Sequence, residues 1–158
     1  MRTIIFIFTI FYISIGFGQI FNEDDKLYKI PCVVHVIYLD SSQLVSLNSV
    51  QDQISSLNQD LSKTNSDISL LSNTFQGLSS ASGIELVLSN RAPDQTASTG
   101  ITVNNTNQYE FTDHESPKKV NTGGVSPWDI KKYLNIWVCN LPDQDIGSAV
   151  QPWDDNLI

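Results

Sequence analysis

Histidine is scarce in this chain. Two imidazoles among 158 residues cannot build a three-histidine metal site, and catalytic zinc needs three protein ligands. Cysteine is equally scarce, and two thiols exclude a disulfide-stapled scaffold and a cysteine zinc knuckle. Basic side chains number 9 against 17 acidic ones, for a net charge of −8. That sign argues against duplex nucleic acid and against anionic membrane surfaces as partners. There is no Gly-rich phosphate loop and no Ser–His–Asp order that points to acyl transfer. Charge itself is sparse, 16% against 41% hydrophobic residues. Enough apolar surface is therefore present to offset the entropy of ordering the chain, which excludes a charge-driven disordered tail. The length suits one modest domain.

What is present begins with a targeting segment. Arg2 supplies a positive start, Ile4 to Ile15 is an almost unbroken apolar run, and Gly16-Phe17-Gly18 places small residues before Gln19. This pattern is a signal peptide over 1–18, cleaved near Gly18. The alternative is a membrane anchor, but an apolar stretch of about fifteen residues falls short of the roughly 20 that span a bilayer. No basic cluster follows it to stop transfer. The expectation is a secreted or periplasmic chain without a stable membrane anchor. Loss of Arg2 takes its net charge from −8 to −9. A short acidic leader over 19–28, with Asn22 to Asp25 reading NEDD, precedes a single domain over 29–158.

That domain alternates strand and helix signals, which points to an α/β or α+β fold. Ile30 to Leu39 is rich in β-branched residues and apolar on both faces, as in a central strand covered on two sides. Ser49 to Lys63 reads as a helix, with Val50, Ile54, Leu57 and Leu61 drawing one apolar stripe and Ser49 with Asp52 giving a capping-box start. A short apolar turn follows at Leu70 to Phe75. Ile84 to Asn90 alternates like a strand, and residues 91–124 read as a long polar connection, a kind that is usually functional or irregularly packed. Ser126-Pro127-Trp128-Asp129 announces a helical turn with a capping serine. Leu134 to Asn140 reads as a third strand, again apolar on both faces, and Ser148 to Gln151 as a short edge strand. Asn104-Asn105-Thr106 fits a glycosylation acceptor, relevant in a eukaryotic secretory pathway.

Four segments taken in order carry a resemblance: IPCVVHVIY (30–38), LNQDLSKTN (57–65), IELVLSNRAPDQTASTGI (84–101) and TGGVSPWDIKKYLNIWVCNL (122–141). The chain resembles the pappalysin-type metallopeptidases, the pregnancy-associated plasma protein A-like, ulilysin- and cytophagalysin-like branch of the metzincins. The resemblance runs from about residue 29 to 152. It implies an α/β fold: a mostly parallel twisted sheet with a backing helix, as in the upper, N-terminal subdomain of a metzincin catalytic domain. It also implies that Gly147, Ser148, Ala149, Val150 and Gln151, in the place of a family segment like GYAQFP, hold an extended peptide by strand addition. The physical basis is that an exposed edge offers N–H and C=O groups to a peptide. The bland alternative is a loop closing the sheet.

The family's zinc is held by the histidines of H-E-x-x-H-x-x-G-x-x-H, whose glutamate is the general base. These 158 residues contain no such motif. The superficial match, His114-Glu115-Ser116-Pro117-Lys118, has Lys118 for the second histidine, and Pro117 would break the helix that must present the ligands. His35 lies mid-strand and reads as a buried structural histidine. The resemblance makes the strands of Cys32 and Cys139 parallel neighbours. Their thiols are then separated by about 16 Å of strand rise, against the roughly 7 Å a disulfide spans, so both are expected free.

The reading is therefore a truncated, secreted member of a zinc metalloendopeptidase family, with no catalytic or metal site of its own and no cofactor except the zinc of the full-length family. A sheet missing its lower half implies exposed apolar surface, and with it self-association or a completing chain. Two other readings stand beside it. One is a non-catalytic secreted module binding peptide or glycan through the edge strand or through Trp128, Trp137 and Trp153. The other is a fragment of a longer gene product.

Overall fold

The computed structural model describes residues 26–142 and 145–149. The signal peptide expected over 1–18, residues 19–25 of the expected leader, Val150, Gln151 and Trp153 lie outside the described residues. Strand β1, Tyr28–Tyr38, is the spine of one four-stranded sheet. Its run of valine and isoleucine explains why: β-branched side chains pack well on a pleated surface covered on both faces. Strand β2 (Ile84–Leu88), strand β3 (Ile101–Asn105) and strand β4 (Leu134–Val138) all pair with β1, and all run parallel to it.

Register decides how three strands share one partner. Cys32 pairs with both Leu88 and Leu134, and Val34 with both Ile101 and Ile136. A strand has two edges, so β4 takes one, and β2 and β3 follow each other along the other. The bonds that flank the two agree: Tyr28 N–H to Gly83 O, Ser89 N–H to Cys32 O, Val34 N–H to Gly100 O and Thr106 N–H to Tyr38 O all use even-numbered β1 groups. Alternate residues of a parallel strand address alternate edges. The chain leaves the edge after β2, turns back through Ser98 N–H to Asn90 O, and rejoins at Gly100. Gly100 sits at φ +71, where a Cβ would lie 2.5 Å from Ser89 N, so only glycine fits the joint.

The stretch 91–124 is thus not one structureless connection. It contains β3, whose Thr and Asn residues resemble a loop in sequence. Helix α1, Leu47–Ser62, starts earlier than its sequence signals: the cap is Ser46, whose hydroxyl accepts from Ser49 N–H, and not Ser49. Val50 and Ile54 are buried and Leu61 packs at the margin of the core with Cys32, Val34, Val36, Leu86 and Ile101. Leu57 is 37% exposed and stands outside that core cluster. The expected apolar turn at 70–75 is a 3-10 turn, Ser66–Leu70, followed by the one-turn helix α2, Asn73–Gln76. The helical turn near Trp128 is capped by Asp129, whose C=O accepts from Lys132 and Tyr133 N–H, rather than by Ser126. Strands end earlier than expected, β2 at Leu88 and β4 at Val138.

Candidate functional site

The two faces of the sheet differ in chemistry. Side chains alternate along a strand, so Cys32, Val34 and Val36 face α1 while Val33, His35 and Ile37 face the other side. There His35 is completely buried. Its Nε2 lies 3.0 Å from Asn135 Oδ1 on β4 and its Nδ1 lies 2.8 Å from Thr102 Oγ1 on β3. The Asn135 amide nitrogen donates to the carbonyls of Trp128 and Tyr133, and Asn135 Oδ1 also accepts from Trp128 N–H at 2.7 Å. With the amide so oriented, His35 Nε2 must carry the proton, and the Thr102 hydroxyl donates to Nδ1. Asn104 Nδ2 in turn donates to Thr102 Oγ1. Every polar atom of the chain of contacts has a partner, as burial requires.

Two indoles close this pocket. Trp137 packs against the imidazole at 5.3 Å between centroids and Trp128 stands edge-on at 6.3 Å. Trp137 Nε1 donates to Val125 O, and Trp128 meets Tyr133 edge to face. Burial holds the His35 imidazole below its ordinary value, with the Asn135 bond working in the opposite direction. The ring is a neutral structural group. Trp128 and Trp137 pack this core margin instead of presenting a binding platform.

These residues do not fit zinc. A ligating imidazole needs a free nitrogen lone pair, and both His35 nitrogens are engaged. His114 is exposed, with Asp145 at 3.9 Å, and the exposed Asp113 accepts from Glu115 and Ser116 N–H. Among the described residues no three His, Cys, Asp or Glu side chains converge as a metal site.

Cys32 pairs in register with Leu134, five residues before Cys139 in sequence, and Cys139 lies just past the end of β4. Both cysteines are free thiols, and burial pushes both up in pKa. Neither is a poised nucleophile. Of the expected peptide-holding segment, Gly147, Ser148 and Ala149 are exposed and pair with no strand among the described residues. Asn104 of the glycosylation triplet is half-buried in β3 and bonded to Thr102.

One residue without a sequence signal controls a sheet edge. Asn58 of α1 accepts from Leu86 N–H and donates to Leu86 O, both at 2.8 Å. Its amide imitates a neighbouring strand on the outer edge of β2. It forms part of an open groove of about 630 Å³ that Leu27, Ile54, Ile84 and Leu88 also line. The charged lining group there, Glu85, is paired with Lys29 at 3.1 Å, so the groove offers no acid–base chemistry.

The fold has solved counterparts. Mirolysin in complex with compound 9 matches at 37% identity and TM-score 0.73, over 75% of this chain and 44% of that one. Mature mirolysin of Tannerella forsythia in complex with a cleaved peptide matches at 37% identity and TM-score 0.78, over 80% and 47%. A promirolysin mutant of the same organism matches at 34% and 0.69, over 71% and 37%. The chain carries the upper subdomain of a pappalysin-type metzincin. It spans less than half the length of these mirolysin chains. No protein-family profile matches it, and none of the curated proteins does. The metalloprotease relationship and the α/β architecture expected from the four sequence segments therefore hold, and zinc belongs to the full-length family. Among the described residues no helix is long and apolar enough to cross a membrane.

Proposed function

We propose that these residues form the peptide-holding wall of a secreted metzincin, and that they bind extended peptide without supplying the groups that hydrolyse it. The observation that carries this is the match over 80% of the chain to mirolysin bound to a cleaved peptide. Two further points support it. The 158 residues hold no H-E-x-x-H, and the buried histidine is committed to hydrogen bonds on both nitrogens. A general base and a metal-bound water cannot be assembled from such groups. The gripping element is the segment Gly147, Ser148, Ala149, Val150 and Gln151, whose backbone N–H and C=O groups pair with an extended peptide. Self-association, or a second chain that completes the cleft, would cover the apolar groups left exposed.

The test has two arms. Purified chain is dialysed against trace zinc and its metal content measured, beside a casein digestion assay. In parallel, extended peptides are titrated against it with a fluorescent label. Weak saturable binding, no stoichiometric zinc and no digestion are expected. Chelator-sensitive proteolysis with one zinc per chain overturns the reading. Absence of any peptide binding removes the gripping role, and a coding sequence that continues into a zinc motif beyond Ile158 assigns the chain to a longer enzyme.

A further inference from the structure

The polar cluster on the sheet face has a consequence of its own. We infer that His35 is an acid-sensitive latch that fastens the segment 125–133 to the sheet. The geometry is a relay with one orientation. Asn104 donates to Thr102, Thr102 to His35 Nδ1, and His35 Nε2 to Asn135 Oδ1. Asn135 then holds Trp128 through N–H and C=O and Tyr133 through C=O, while Trp137 holds Val125 O. The segment is thus tied to the sheet by the Asn135 amide, which the imidazole positions, and by the Trp137 indole.

A second proton on the ring reverses one bond. Nδ1 becomes a donor facing the Thr102 hydroxyl, which must then turn its own proton away from the ring while still accepting from Asn104. Nothing charged compensates. Strand β3 presents Thr102 and Asn104, and β4 presents Asn135 and Trp137. On β1 the same face carries Val33 and Ile37. The segment itself brings Trp128 against the ring, with Tyr133 behind Trp128, and its charged groups Asp129, Lys131 and Lys132 are exposed, Asp129 being paired with Lys132 at 3.4 Å. A buried cation without a carboxylate partner is costly, and the contacts that yield first are those of the segment, which lies outside the sheet ladder. The exposed His114 is outside this network and serves as the control.

The experiment is an acid titration of the purified chain from pH 8 to pH 5, where carboxylates remain ionised, in a Trp153→Phe background so that emission reports Trp128 and Trp137. A reversible red shift with a midpoint below about 6.5 is expected, with far-UV circular dichroism unchanged. His35→Gln can donate to Asn135 and accept from Thr102 but cannot take up a proton, so it abolishes the shift. His114→Gln leaves it intact. The same transition in His35→Gln overturns the latch. Ring nitrogen NMR of the unmutated chain gives a readout independent of that variant's folding. Nε2–H is the neutral form expected at pH 8, and its titration should coincide with amide shifts confined to 125–133. Titration of His35 without those amide shifts overturns the inference equally.

Discussion

Replacing Asn58 with alanine should cost the domain about 1.5 kcal/mol. The side chain makes two hydrogen bonds at 2.8 Å to the N–H and C=O of Leu86, each worth about 1 kcal/mol net. Leu86 is buried, so water replaces the amide poorly and little of that loss is recovered. Alanine returns roughly half a kcal/mol, because asparagine is the weaker helix former in the middle of α1. For a domain of this size the balance corresponds to a fall in Tm of about 5 °C. Urea denaturation measures the first quantity, and amide exchange at Leu86 locates it. Asn58→Asp should be worse than alanine, since it keeps the acceptor for Leu86 N–H, loses the donor, and aims a carboxylate at Leu86 O. The bared edge should also pair with other chains, seen as concentration-dependent sedimentation. A loss below about 0.5 kcal/mol, or a Leu86 amide that stays protected in Asn58→Ala, refutes the idea that this side chain acts as a substitute strand.

Other substitutions test other joints. Ser46→Ala removes the hydroxyl that accepts from Ser49 N–H and should cost about 1 kcal/mol in urea denaturation, whereas Ser49→Ala should cost less. Gly100→Ala forces a Cβ to within 2.5 Å of Ser89 N at φ +71. It should destabilise by more than 2 kcal/mol and loosen β3 from β1 in amide exchange. Cys32 is fully buried and Cys139 half-buried, both with raised pKa. A thiol reagent at pH 8 should therefore label Cys139 slowly and Cys32 at the rate of unfolding. His35 has a folded-state pKa lowered by burial, so its stabilising contribution is complete above about 6.5 and is lost as pH falls from there towards the folded value. The urea midpoint should drop between pH 7 and pH 5.5 in the native chain and stay level in His35→Gln.

Strands β1, β2 and β4 are legible in the sequence because their apolar residues are dense, and α1 because Val50, Ile54 and Leu61 recur at helical spacing. β3 is not. Ile101 and Val103 against Thr102 and Asn104 is a period-two pattern, yet it sits in the mostly polar stretch 91–124 that reads as a connection. The helix-facing side of β3 carries only one buried apolar residue, Ile101, with Val103 47% exposed. Its opposite side faces protein through Thr102 and Asn104, which a hydropathy pattern counts as solvent. Burial and polarity part company where polar groups satisfy one another.

The same confusion hides the polar site. Asn135 lies in LNIWV, a segment that reads as apolar on both faces, although it joins the sheet to Trp128 and Tyr133. His35 is visible as an odd residue in an apolar strand, and counting ligands is enough to call it structural. Its partners are not visible, since Thr102 and Asn135 lie 67 and 100 residues away in the chain. Only register brings them together: His35 pairs with Thr102 on one edge and Trp137 on the other, with Asn135 one step diagonal. A shift of one residue in either strand would send these side chains to the helix side. The relay therefore acts as a check on register that aliphatic packing alone would not supply, because valine slides past valine at little cost while an unpaired buried imidazole does not. The polar face of this sheet specifies the arrangement, and the apolar face supplies most of its stability.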